Sequence, residues 1–170
     1  KTRSSPRTPD GRPYFTMKLA TGGTLSSRAK AMRGDWRAIA RLAETLAEAI
    51  QFAHERGVIH RDLKPGNVLF DEHSRPYVSD FGLAKFVNAE SSVTLTAMMF
   101  GTPAYLAPEL IAKGVGAATI SSDVYGLGAI LYELLTGQPP FAAASLPLLL
   151  QRVLEDVPTA PHRLVSGVPR

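Results

Sequence analysis

Apolar positions between Asp35 and Arg56 fall on a single stripe. Trp36, Ile39, Ala43, Leu46, Ile50 and Ala53 recur at alternating steps of three and four, the spacing of one helix face. Asp35 offers a side-chain acceptor to the first free amides, and Gly57 marks the stop. A second helix is predicted from Ser122-Asp123-Val124-Tyr125-Gly126-Leu127-Gly128 to Thr136, with Gly137 as its end. A third begins at Ser145-Leu146-Pro147 and runs to about Glu155, followed by a Pro-rich, loop-like remainder. Short apolar runs read as strands: Tyr14 to Leu19, closed by Thr21-Gly22-Gly23, then Val58-Ile59 and Val68-Leu69-Phe70, with Tyr77-Val78-Ser79 leading into Asp80. Residues 1–13 carry three prolines and the turn signal Pro9-Asp10-Gly11-Arg12-Pro13, which predicts a loop. The pattern is that of an α+β chain, mainly helical with short β-hairpins.

Composition narrows this only modestly. At 170 residues the chain is long enough for one domain with a core, and 45% hydrophobic and 20% charged residues are ordinary for a globular protein. The net charge of +4 is partly gathered in Lys1-Thr2-Arg3-Ser4-Ser5-Pro6-Arg7. No basic patch interleaved with aromatic residues follows, so nucleic acid is not an expected partner. The absence of cysteine excludes disulfides and thiolate metal sites. The start has no apolar core of a signal peptide. Val124 to Leu135, the longest apolar-rich stretch, is too short to span a membrane and contains Glu133.

Three clusters carry chemistry. The first is His60-Arg61-Asp62-Leu63-Lys64-Pro65-Gly66-Asn67. The second, Asp80-Phe81-Gly82, starts 13 residues beyond Asn67, and Ala107-Pro108-Glu109 follows. Alone, an aspartate after an arginine is an ordinary solvated turn residue, and Asp-Phe-Gly an ordinary turn after a strand. In this order and spacing, the set resembles the catalytic half of a protein kinase of the serine/threonine type. From His54 to Phe141 the wording is most similar to bacterial receptor-type serine/threonine kinases.

The resemblance implies roles. Asp62 would orient the substrate hydroxyl and accept its proton, while Lys64 reaches the transferred phosphate. Asn67 and Asp80 would supply hard oxygen ligands to Mg²⁺, and Gly82 would let the chain turn behind Asp80. His60 and Phe81 would pack beneath these groups as structural residues. Met17 would stand beside the adenine of ATP, the backbone of Lys18 and Ala20 would bond the base, and Leu69 would form the floor. Residues 80–109 would be the activation segment. Thr94 or Thr96, with Ser91 and Ser92 behind them, would take a phosphate that pairs with Arg61. Thr102 in the substrate-docking turn, together with Lys64, favours Ser/Thr over Tyr substrates. Asp123 would hold the loop's backbone amides, with plain helix capping as its other reading. Glu109 would pair with an arginine that is missing unless Arg163 or Arg170 substitutes.

No glycine-rich phosphate loop is found, since Gly114-Val115-Gly116-Ala117-Ala118-Thr119 fails its pattern. Lys18 cannot be the phosphate-binding lysine with Glu44 or Glu48 as partner. The helix carrying those glutamates runs directly into Val58-Ile59-His60. The chain is therefore expected to be a partial kinase domain. Residues 1–13 would form a loop and 14–25 the last N-lobe strand and hinge. Residues 26–170 would form a C-terminal lobe incomplete at its end, with further N-lobe sequence in the full-length protein. ATP and Mg²⁺ are the expected cofactors and a Ser/Thr-bearing protein the expected substrate. The fragment alone is expected to be inactive, with apolar surface at Met17, Leu69 and Phe81 facing water. The alternative is a shortened kinase-like module that binds partners without phosphorylating them. The expected location is the cytoplasm, with any membrane tether outside this chain.

Overall fold

The computed structural model describes residues 7–12, 14, 16, 17, 19–81 and 103–168. Among these, helices α1 (Leu25–Arg28) and α2 (Trp36–His54) precede a hairpin of β1 (Val68–Phe70) and β2 (Pro76–Val78). Then follow α3 (Pro108–Lys113), α4 (Ile120–Thr136), α5 (Leu146–Glu155) and α6 (Pro161–Leu164). The strands pair antiparallel with Val68 opposite Val78 and Phe70 opposite Pro76.

The stripe of α2 is the centre of the core. Ile39, Leu46 and Ile50 are almost fully buried and pack with Leu25, Leu63, Val68, Phe70, Ile130 and Leu134. Burying each such side chain stabilises the fold by about 1.5–3 kcal/mol before entropy is counted. Leu42 joins this face, whereas Ala43 is only half-buried. Asp35 caps α2 by accepting from the Ala38 amide at 2.9 Å, and Gly57 takes the left-handed φ of 71° just beyond the helix. The main partner of α2 is α4. That helix ends at Gly137, again left-handed at φ 81°, whose carbonyl accepts from Arg33 Nη2 at 3.1 Å.

Two expected strands are not found among the described residues. Tyr14, Thr16, Met17 and Leu19 lie outside any strand, and so do Val58 and Ile59. A strand exists only where a neighbour takes up its backbone groups. Among the described residues the sheet holds β1 and β2 alone, with one isolated bridge from Thr24 to Leu69. The Val58 amide is used instead to close α2, donating to the Ala53 carbonyl at 3.0 Å. Helices α3 and α6 were not foreseen. Each opens on a proline at its first position, where the missing N–H is no loss.

Candidate active site

The site is built on the crossing of α2 and α4. Asp123 lies in the first turn of α4, where the helix dipole favours a carboxylate, and is fully buried. Its Oδ2 accepts from the His60 amide at 2.8 Å and its Oδ1 from the Arg61 amide at 2.9 Å. His54, the last residue of α2, places Nε2 2.7 Å from Oδ2. One carboxylate thus fixes the start of the 60–67 loop to both long helices. Gly126, one turn further along α4, lets the loop lie close: a Cβ there would sit 2.8 Å from Leu63 Cβ.

His60 is a buried spacer. Its Nε2 donates to the Ser79 carbonyl at 2.8 Å, and its Nδ1 accepts from the Asp62 amide at 3.2 Å. These two bonds require the neutral tautomer with the proton on Nε2. Burial pushes the imidazole pKa below its usual value, against the opposing pull of the Ser79 carbonyl. The Phe81 ring stacks at a tilt, 4.7 Å between centroids, although Phe81 itself is at the edge of exposure. With both nitrogens engaged, His60 is no proton acceptor for a substrate.

Two polar residues meet at Asp62. Lys64 Nζ lies 2.6 Å from Asp62 Oδ2, and Asn67 Nδ2 donates to the same oxygen at 3.0 Å and to the Asp62 carbonyl at 2.8 Å. The Asp62 side chain is 40% exposed, so the carboxylate is held from below and open above. The Pro65–Asn67 3-10 turn, closed by the Asn67 amide on the Lys64 carbonyl, sets this geometry. Asp80 is joined to the cluster through Ser79, whose amide donates to the Asn67 carbonyl at 2.9 Å and whose hydroxyl donates to Asp80 Oδ2 at 3.0 Å. Arg61 and Asp80 both adopt left-handed backbone, at φ 75° and 62°.

The donor set suits a hard cation. The Asn67 amide nitrogen is occupied, which leaves its oxygen as the free end among the described residues, where Asp80 likewise retains a second carboxylate oxygen. Among the described residues no group of three His, Cys, Asp or Glu side chains closes into a metal cage. One carboxylate and one amide oxygen fit Mg²⁺, which keeps most of its shell for water and phosphate.

The remaining candidates are dispersed. Leu69 is half-buried in β1, Ala20 is half-buried, and Met17 is 62% exposed. Arg61 is half-buried with its Nε enclosed and unpartnered among the described residues. Glu109 accepts from the Ser122 hydroxyl at 2.6 Å, which joins α3 to α4, and no described arginine pairs with it. Lys18, Gly82, Ser91, Ser92, Thr94, Thr96, Thr102 and Arg170 lie outside the described residues. Two contributors escaped the sequence reading. Ser79 could have been found as a hydroxyl directly before Asp80, while nothing local marks His54.

Comparison with known proteins shows the family of the chain. A family model, the protein kinase domain, matches residues 7–159. The chain is 42% identical over 163 residues to the DNA damage-responsive serine/threonine-protein kinase RqkA of Deinococcus radiodurans, covering 94% of this chain and 24% of that protein. It is 38% identical over 159 residues to serine/threonine-protein kinase PknB of Mycobacterium leprae, covering 92% and 25%. With serine/threonine-protein kinase PknL of Mycobacterium tuberculosis it shares 40% identity over 164 residues, covering 94% and 40%. The chain thus spans well under half the length of these curated relatives.

Proposed function

Because the chain belongs to the protein kinase family, we propose that it forms part of an enzyme transferring the γ-phosphoryl group of ATP to serine or threonine hydroxyls of proteins. One observation carries this reading. Lys64 and Asn67 converge on a single oxygen of Asp62 and leave the rest of the carboxylate open to solvent. Asp62 then orients the incoming hydroxyl and accepts its proton, and Lys64 faces the phosphate as its charge develops. Asn67 and Asp80 offer oxygens to Mg²⁺, which when bound neutralises phosphate charge. Met17, Lys18 and Ala20 would face the adenine, with Leu69 beneath it, and Thr102 would help dock the substrate hydroxyl. These residues belong to a C-terminal lobe that works as part of a larger domain. Residues 1–170 alone are proposed not to catalyse, because positioning supplies nearly all the rate and no phosphate-covering loop is among them.

Regulation follows from Arg61. Its enclosed Nε lacks a partner among the described residues, and a guanidinium so placed can pair with a phosphothreonine at Thr94 or Thr96.

The test is Asp62→Asn in the full-length protein. Phosphoryl transfer should fall by about two to four orders of magnitude, with ATP affinity unchanged. Turnover equal to wild type refutes the assignment. Asp80→Ala should weaken Mg²⁺-dependent nucleotide binding more than Asn67→Ala, because a carboxylate neutralises the cation and an amide does not.

A further inference from the structure

The chain from Met17 to Gly23 meets β1 through a short stretch of backbone. Gly22 N donates to the Phe70 carbonyl at 2.7 Å, and Phe70 N donates to the Gly23 carbonyl at 2.9 Å. Before that stretch, no described residue bonds the backbone of Met17, Leu19 or Ala20. Arg28, the last residue of α1, stands at this junction. Its Nε donates to the Gly22 carbonyl at 2.7 Å and its Nη1 to the Ser74 hydroxyl at 3.1 Å. The guanidinium carbon also lies 4.5 Å from the centre of the Phe70 ring. A single planar group therefore holds together the incoming chain, the strand after Asn67 and the 71–75 turn. The approach is tight: a Cβ on Gly22 would meet the Asp71 carbonyl oxygen at 2.4 Å and Arg28 Nη2 at 2.8 Å.

We propose that Arg28 is a positioning residue for nucleotide binding, setting the edge at Met17 to Ala20 against the floor at Leu69. The inference rests on the functional reading above, which places those residues around the adenine. Leu69 and Phe70 are neighbours in β1, so a group that grips the Gly22 carbonyl while covering Phe70 fixes the spacing between edge and floor. The rigid fork of arginine suits this, since its donors and its flat face act at once. A lysine could reach one acceptor but not hold both and cover the ring.

The experiment uses the full-length protein. Arg28→Met keeps an apolar stem over Phe70 and removes the donors. The KM for ATP and the Kd from fluorescent-nucleotide titration should rise about three- to tenfold, with kcat held within about twofold. Arg28→Lys should recover part of the loss. Gly22→Ala, which pushes the same backbone off Phe70, should reproduce it. The KM for the protein substrate should not move. An Arg28→Met variant that melts at a lower temperature but binds and uses ATP as wild type does overturns the proposal. Wild-type turnover and its loss in Asp62→Asn report separately on the functional reading, so an unchanged KM condemns the role of Arg28 alone.

Discussion

The 60–67 loop and the 14–23 stretch carry two halves of the same proposed site, yet they are secured in opposite ways. The loop is tied at its two ends by groups distant in sequence, Asp123 beneath His60 and Arg61 and Ser79 beside His60 and Asn67, and is closed within itself by Asn67 across to Asp62. Among the described residues, the other stretch gains its register only at Gly22 to Thr24, where it touches β1. Polar side chains within the molecule can replace a lattice of backbone bonds. A plain apolar run cannot, because its backbone needs another strand.

Substitutions can probe this contrast. Asp123→Ala removes the acceptor for the His60 and Arg61 amides and for His54, and should cost about 3–5 kcal/mol in chemical denaturation. A loss below about 1 kcal/mol would show that the loop is not held from beneath. Gly126→Ala forces a methyl group against Leu63 and should cost about 1–3 kcal/mol, as core overpacking does. His60 sharpens the comparison through pH. Its folded pKa lies below the ordinary 6.5, so the unfolded chain binds more protons between the two values. Stability is then full above 6.5 and declines as pH falls below it. Melting temperatures from about pH 7 to about pH 5 should fall less steeply in His60→Gln than in wild type, and equal slopes would exclude the neutral-histidine account. At the other extreme, Leu19→Ser changes a side chain that is 77% exposed and should shift stability by about 0.5 kcal/mol or less. A larger loss there would mean that the 14–23 stretch is packed after all.

Local signals were legible and long-range ones were not. The α2 stripe with its Asp35 cap, and the glycines that end α2 and α4, could be read directly because each depends on residues within one or two turns. The grouping of Asp62, Lys64 and Asn67 is likewise local, spanning six positions. The strands expected at Tyr14 to Leu19 and at Val58-Ile59 failed because alternation says what could pair, not whether a partner is adjacent. The roles of His54 and Ser79 are not local, since they arise from helix crossing and from strand ends meeting the loop. Asp123 stood out only through family resemblance, because a helix-capping carboxylate looks the same in sequence. Strict three-four counting puts Ala43 on the α2 stripe, whereas the structure buries Leu42 there, because neighbouring positions share a helix face that counting cannot separate.

The left-handed backbone at Arg61 and Asp80 carries an evolutionary consequence. Such conformations cost about 1–3 kcal/mol each in a non-glycine residue, so both positions are locally unfavourable for the amino acids that occupy them. Glycine would relieve that cost without disturbing the chain path. Selection for heat resistance alone should therefore drift towards glycine at 61 and 80, yielding sturdier molecules stripped of a cation and of the carboxylate proposed to hold Mg²⁺. Durability and chemistry compete at these two positions, and a mutational library scored for both should show the opposition there most sharply.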